Sequence, residues 1–226
     1  MDGTRTYLVG TRHVAVIDPG PLIHEHLDAV ALAVEDAEAV SLLLTHAHGD
    51  HAAGAGLLAD RLGVEVRGPG GTQQVAEGTV VGTDAGELVA LSMPGHTEEH
   101  YCYGLGGADA VFVGDLLLGE GDTTWVGEYP GGVADYLASL DRLEALDPRV
   151  IYPGHGPPLT EPLDAIRRFR THRQSRIDQV RDVISGNADA STNEILAAVY
   201  PDLPDSLHAA ARRSIEVILD HLSLHE

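Results

Sequence analysis

Short apolar runs separated by turn-forming clusters fill the chain up to its prolines near residue 160, and a helical spacing takes over after them. Residues 6–18, TYLVGTRHVAVID, predict two short strands around a Gly-Thr-Arg turn, closed by Asp18-Pro19-Gly20. Leu22 to Asp36 is helical in pattern, with Leu22, His26, Ala29, Val30 and Ala33 on one stripe; His24 and His26 read as surface or interface residues. Ser41 to Leu44 reads as a buried strand, and Gly54 to Leu62 as a helix after a polar loop. Further strands are expected over Val64 to Arg67, Leu88 to Met93, His100 to Leu105, Val111 to Gly114 and Arg149 to Tyr152. A helix from Val133 to Leu146 presents Leu137, Leu140, Leu143 and Leu146 on one face.

Pro157, Pro158 and Pro162 mark a boundary, dividing the chain into residues 1–160 and a helical unit over 161–226. In that unit Ile166, Phe169, Arg173, Ile177, Val180 and Ile184 form one stripe. Ser191 to Glu194 predicts a capping box opening a short helix. A last helix opens at Asp205 or Ser206, with Leu207, Ala211, Ile215, Ile218 and Leu222 on its apolar face, and any apolar positions it leaves exposed are a candidate homodimer surface. Three helices with short links resemble a winged-helix unit. The chain stops at Glu226, so the wing is expected to be absent.

At 226 residues, 43% of them hydrophobic, the chain is long enough for a real core. There is no apolar run long enough for a membrane span and no basic-then-apolar leader, so a cytoplasmic protein without membrane contact is expected. The lone cysteine, Cys102, sits in an alternating stretch and reads as a buried, inert thiol. Acidic residues outnumber basic ones 35 to 14, giving −21, and all the basic residues are arginine. Either a GC-rich genome or a salt-loving source accounts for this bias. At low salt such a charge repels nucleic acid; at molar salt the repulsion is screened over about 3 Å. Six arginines fall between Arg167 and Arg181, forming either a solvated face paired with the acidic body or an RNA-contacting face.

The densest chemistry lies in residues 45–51, THAHGDH. His46 and His48 are two apart, so an extended turn aims both rings one way, while Asp50 and His51 follow a glycine bend and face a second point. Imidazole nitrogen and carboxylate oxygen suit zinc, and also iron or manganese. The alternative is a His-rich surface loop.

This loop resembles the signature of the metallo-β-lactamase superfamily. The resemblance implies a four-layer αββα sandwich (class α/β, α+β) with the small three-helix domain appended, and a ligand series completed by His96 in MPGHT, Asp115 in VFVGD and His155 in IYPGHG. One metal would be held by His46, His48 and His96, a second by Asp50, His51 and His155, with Asp115 bridging; two Zn2+ ions are expected, Mn or Fe being the alternatives. Asp18 would buttress the metal loop, or else serve only as a turn-former. A hydroxide shared by the metals would be the nucleophile, with Asp50 as ligand and orienter. His100 is a candidate for assisting the leaving group, the alternative being a structural histidine. The loop from Leu116 to Trp125 is expected to wall the substrate cleft through Thr123, Thr124 and Trp125, with core packing the other reading for Trp125.

MPGHTEEH, GDLLLGEG, YPGHGP, the THR stretch and the helical tail are similar, from about Thr6 to Leu224, to the β-lactamase-like protein 2 group, whose members carry a C-terminal winged-helix domain. That resemblance implies a single-strand endoribonuclease, as animal members are, or a thioesterase or small-ester hydrolase of glyoxalase-II type, fungal relatives being thioesterases. A third reading is a non-catalytic binding module, which would not need seven ligands. A basic, open groove along the arginine-rich helix would favour RNA; a narrow slot near Trp125 would favour an acyl substrate.

Overall fold

The computed structural model describes residues 3–223. Two sheets form the centre. The first has the order β1 (Tyr7–Val9), β2 (His13–Ile17), β3 (Ala39–Leu43) and β4 (Val66–Arg67), with β1 antiparallel and the others parallel. The second runs β5 (Val80–Thr83), β6 (Gly86–Ser92), β7 (Tyr101–Leu105), β8 (Ala110–Gly114) and β9 (Val150–Pro153), antiparallel until the parallel β8–β9 pair.

The period-2 alternation of strands builds the layers. Ala15, Ile17 and Leu43 of the first sheet face Leu88, Ala90, Tyr103 and Phe112 of the second in one buried cluster. The alternate residues Val14, Val16 and Leu42 pack outward against Leu27 and Val30 of α1 (His24–Ala33) and Leu58 of α3 (Ala55–Leu62). Because both faces are covered, these strands read as near-continuous apolar runs. On the other side Leu91, Cys102, Val111 and Ile151 pack against α4 (Gly132–Ala145) and α5 (Pro162–Gly186). The result is the expected four-layer αββα sandwich, and Cys102 is fully buried as expected.

Three details differ from the sequence reading. The buried stripe of α1 is Leu27, Val30 and then Val34, whereas Leu22, Ala29 and Ala33 are exposed. The helix starts only at His24, and Leu27 is pressed onto Gly54, where a Cβ would lie 2.8 Å from its Cδ2. Second, Leu207 is exposed, standing in a 3-10 turn (Asp205–Leu207) ahead of α7 (His208–Ser223). Third, the rest of the α7 stripe is taken up within the chain: Ala211, Ile215, Ile218 and Leu222 are buried in a core shared with α4, α5 and α6 (Thr192–Val199).

The capping box forms as read. Ser191 Oγ accepts from Glu194 N and the Glu194 carboxylate accepts from Ser191 N. One apolar cluster runs from the second sheet through α5 to α7, so packing is continuous past residue 160. Among the described residues no strand follows α7; a wing beyond it would lie outside them. No described helix is long and apolar enough to cross a membrane.

Candidate metal centre

The segments after β2, β3, β6, β8 and β9 gather at one edge of the sandwich. Asp18, just past β2, adopts a left-handed backbone (φ 50°) and is 2% exposed. Its carboxylate accepts three hydrogen bonds, from Thr45 N (2.8 Å), Thr45 Oγ1 (2.7 Å) and His51 Nδ1 (2.9 Å). Strain in a non-glycine residue persists where surroundings over-determine it, and here they do. Asp18 is thus both turn-former and buttress of the loop.

The outer nitrogen of each histidine decides what its inner one can do. The Thr45 hydroxyl gives its proton to Asp18, so it accepts from His46 Nδ1 at 2.9 Å. That leaves the lone pair on His46 Nε2, which is buried and without a hydrogen-bond partner. His51 Nδ1 donates to Asp18, His96 Nδ1 to the Trp125 carbonyl (2.8 Å) and His155 Nδ1 to the Gly3 carbonyl (3.1 Å). Each of these rings presents its Nε2 inward. His48 is reversed: its Nε2 lies 3.6 Å from Glu128 Oε1 and its Nδ1 faces His96. Such outer acceptors fix tautomer and aim in metal-ligating histidines.

The inner nitrogens converge in two groups. His48 Nδ1 and His96 Nε2 approach to 3.0 Å, with His46 beside them. His155 Nε2 lies 3.4 Å from His51 Nε2 and 3.1 Å from Asp50 Oδ2. In both trios, His46/His48/His96 and Asp50/His51/His155, the ligand atoms lie within 4.8 Å of one another. Asp115 stands between, its oxygens 3.4 Å from His51 Nε2, 3.4 Å from His155 Nε2 and 3.7 Å from His96 Nε2. At His48 Nδ1 and His96 Nε2 two lone pairs face each other and repel, and a shared cation relieves this. Gly154 keeps the space open: a Cβ there would sit 2.6 Å from both Asp115 Oδ1 and His51 Cε1. The donor set therefore fits divalent metal. Asp18, His46 and His51 form a third such group, but the Asp18 oxygens are already engaged.

The electrostatics follow from burial and pairing. Burial pushes His46 and His96 below the ordinary imidazole range, with neighbouring rings adding to it at His46. For His51 burial acts downward too, but hydrogen bonds to Asp115 and Asp18 outweigh it and raise the ring to about 10. Asp115 is pushed up by burial, yet His155 and His51 hold it well below the carboxylate range.

The remaining sequence candidates fall around this centre. His100 is 1% exposed, stacked 5.2 Å from His46, with both ring nitrogens unpartnered and its pKa pushed by burial and then His96 to about 3. It lies behind the ligand row, away from solvent. Asp50 is half exposed. Thr123 is exposed; Thr124 is buried with its Oγ1 3.5 Å from His96 Nδ1. The Trp125 ring stands 6.4 Å from that of His96 and donates from Nε1 to Ala210 of α7 (3.1 Å). His24 is exposed, while His26 is held by Thr6 and the Pro19 carbonyl.

Several participants were not singled out in the sequence. Thr45, Glu128 and the carbonyls of Gly3 and Trp125 complete the histidines, and backbone acceptors carry no residue signature. The N-terminal segment is laid across the site: Arg5 N donates to Gly154 O (2.7 Å) and Arg5 Nε to Gly156 O (3.0 Å). The arginines of α5, the exposed Arg168 excepted, are engaged within the chain. Arg167 and Arg170 pair with Glu144, Arg170 also with Asp141, Arg181 with Asp178, and Arg176 lies over Tyr200. The centre's mouth is acidic instead, with Glu128 beside His48 and accepting from Glu98 N.

Comparison with known proteins gives the same picture. The model for the metallo-beta-lactamase superfamily matches residues 2–92 and 75–155, and that for the beta-lactamase associated winged helix domain matches 191–224. A Caenorhabditis elegans beta-lactamase-like protein 2 homolog is 29% identical, over 98% of this chain and 79% of its own. An Aspergillus fumigatus atrochrysone carboxyl ACP thioesterase is 31% identical, over 90% of this chain and 70% of its own. The crystal structure of a metallo-beta-lactamase family protein from Thermus thermophilus superposes with a TM-score of 0.80 at 20% identity, covering 98% of this chain and 89% of that one, and shows the same fold.

Proposed function

We propose, from the premise that the chain belongs to the metallo-β-lactamase superfamily, that it is a metal-dependent hydrolase acting on thioesters. One observation carries this reading: five histidines have their outer nitrogens held by acceptors or a carboxylate while their inner nitrogens converge with Asp50 and Asp115. His46, His48 and His96 would hold one metal, Asp50, His51 and His155 a second, and Asp115 both. Zinc is the expected ion, with manganese and iron as alternatives.

When bound, zinc makes water nucleophilic near pH 7 and polarises a carbonyl. Asp50, half exposed beside His155, orients the attacking water and takes its proton. Trp125 walls the cleft next to His96, with Thr124 behind it and Thr123 towards solvent. His100, fully buried, serves as packing for His46 in this reading and not as a proton donor.

The thioester assignment draws on the relative named as a thioesterase. An endoribonuclease of the kind the sequence resemblance implies would be served by a basic groove, and of the exposed or half-buried α5 arginines that could line one all but Arg168 are turned to acidic partners and Tyr200.

The test is hydrolysis of acyl-CoA and acyl-carrier-protein thioesters by protein loaded with zinc, manganese or iron, read as free thiol, beside a labelled single-stranded RNA across a salt series. Thioester cleavage that falls about 10²-fold or more in Asp50→Ala is expected. RNA cutting with inert thioesters would overturn the assignment.

A further inference from the structure

One charge lies on the buried face of α5. Arg173 sits among Phe169, Ile177 and Val180 and is itself 4% exposed. Its Nη2 donates to the Thr124 carbonyl at 2.8 Å, its guanidinium carbon stands 5.4 Å from the Tyr136 ring centroid, and its Nε has no partner. Among the described residues no carboxylate pairs with it. A buried cation without a counter-ion is costly, and an apolar side chain of similar size would be cheaper in stability. Its presence needs a local reason.

The loop it holds provides one. Next to it on α5, His172 Nδ1 lies 3.3 Å from Asp122 Oδ1, and α7 accepts from Trp125 Nε1. The C-terminal helices therefore grip the loop at residues 122, 124 and 125. The inner side of the same segment touches the centre, where the Trp125 carbonyl accepts from His96 Nδ1.

We propose that Arg173 is a positioning residue: by fixing the Thr124 carbonyl it sets the adjoining Trp125 carbonyl that holds the tautomer and aim of His96, so that the C-terminal helices complete the metal centre. This rests on the reading of His96 as a ligand.

Trp125 is the only tryptophan, so its emission reports on this loop alone. Full-length Arg173→Met and Arg173→Lys would be compared with wild type, metal-free and in zinc titrations against a competing chelator, with His96→Ala as reference for the affected equivalent. In metal-free Arg173→Met the Trp125 emission shifts red and its anisotropy falls, while circular dichroism holds. One zinc equivalent, the one missing in His96→Ala, weakens roughly tenfold. Arg173→Lys keeps a cationic donor and recovers the native emission and most of the affinity. Native emission or native zinc affinity in Arg173→Met overturns the proposal, as does a lysine variant no better than methionine. Should Arg173→Met not fold, Asp122→Ala, which removes the acceptor of His172 and frees the loop from it, is expected to weaken the same equivalent by a smaller factor; unchanged affinity there overturns it. Failure of the ligand reading shows separately, as wild-type protein that takes up no zinc.

Discussion

Replacing Asp18 with asparagine keeps the shape of a buried side chain and removes one of its two acceptor oxygens. Three donors converge on that carboxylate: Thr45 N on one oxygen, Thr45 Oγ1 and His51 Nδ1 on the other. An amide satisfies at most one side. If its oxygen stays with Thr45 N, the amide nitrogen faces the hydroxyl and the imidazole N–H; His51 must then give up its Nδ1 proton and keep only the one on Nε2, the nitrogen turned towards Asp50, Asp115 and His155. Hydrogen bonds to a charged group contribute about 1.5–3 kcal/mol each, so losing two places the cost in metal-free stability at about 3–6 kcal/mol. Zinc affinity should fall by about 10- to 100-fold, as when an outer partner of a metal-binding histidine is removed. Denaturant unfolding of metal-free protein and chelator-competition titration give the two numbers. Thr45→Val, which removes the acceptor of His46 together with one of the three donors to Asp18, should cost less, and the double variant should be non-additive because both act on one carboxylate. An Asp18→Asn protein with wild-type stability and two native-affinity zinc equivalents would refute the argument.

Three other outcomes follow from the same geometry. Gly154→Ala places a methyl 2.6 Å from Asp115 and His51; its helical signal should stay native while zinc binding, measured by metal analysis after dialysis, is lost, at about 1–3 kcal/mol of overpacking. Glu128→Leu removes the partner of His48 Nε2, and a roughly tenfold weaker zinc equivalent is expected; a His48→Ala background should abolish the difference. In metal-free protein His100 has its folded pKa lowered to about 3, so between there and the unfolded value near 6.5 the unfolded chain binds a proton that the folded one refuses. Its contribution is intact above 6.5 and lost as pH falls, at about 1 kcal/mol per pH unit. Unfolding curves at pH 7, 6 and 5 should therefore be less steeply pH-dependent in His100→Leu than in wild type, and parallel profiles would count against this assignment.

The strands and the two histidine-aspartate trios were legible because a ligand on a short loop after an apolar run leaves a local trace. His46, His48, Asp50 and His51 stand within six residues, and His96, Asp115 and His155 each follow a strand beside a glycine. The partners that aim them were not legible. Glu128 reaches His48 across the mouth, and the carbonyls of Gly3 and Trp125 look like any others in a sequence. The phase of α1 was misread because its first apparent stripe residue, Leu22, precedes the helix. Arg173 did leave a sign, a cation on an otherwise apolar stripe, but its meaning needed the loop beneath it. The arginine count of α5 pointed either way until Glu144, Asp141 and Tyr200 were found on the receiving side.

The N-terminal segment lying over the β9–α5 loop has a practical bearing on how the protein is handled. The Gly3 carbonyl orients His155, and Arg5 grips the backbone on either side of that histidine. A purification tag fused at Met1 would be tethered within a few residues of a working part of the centre. A polyhistidine tag there would bring chelating groups to the very ions being counted. Metal stoichiometries should be compared only between preparations whose first residues are the same.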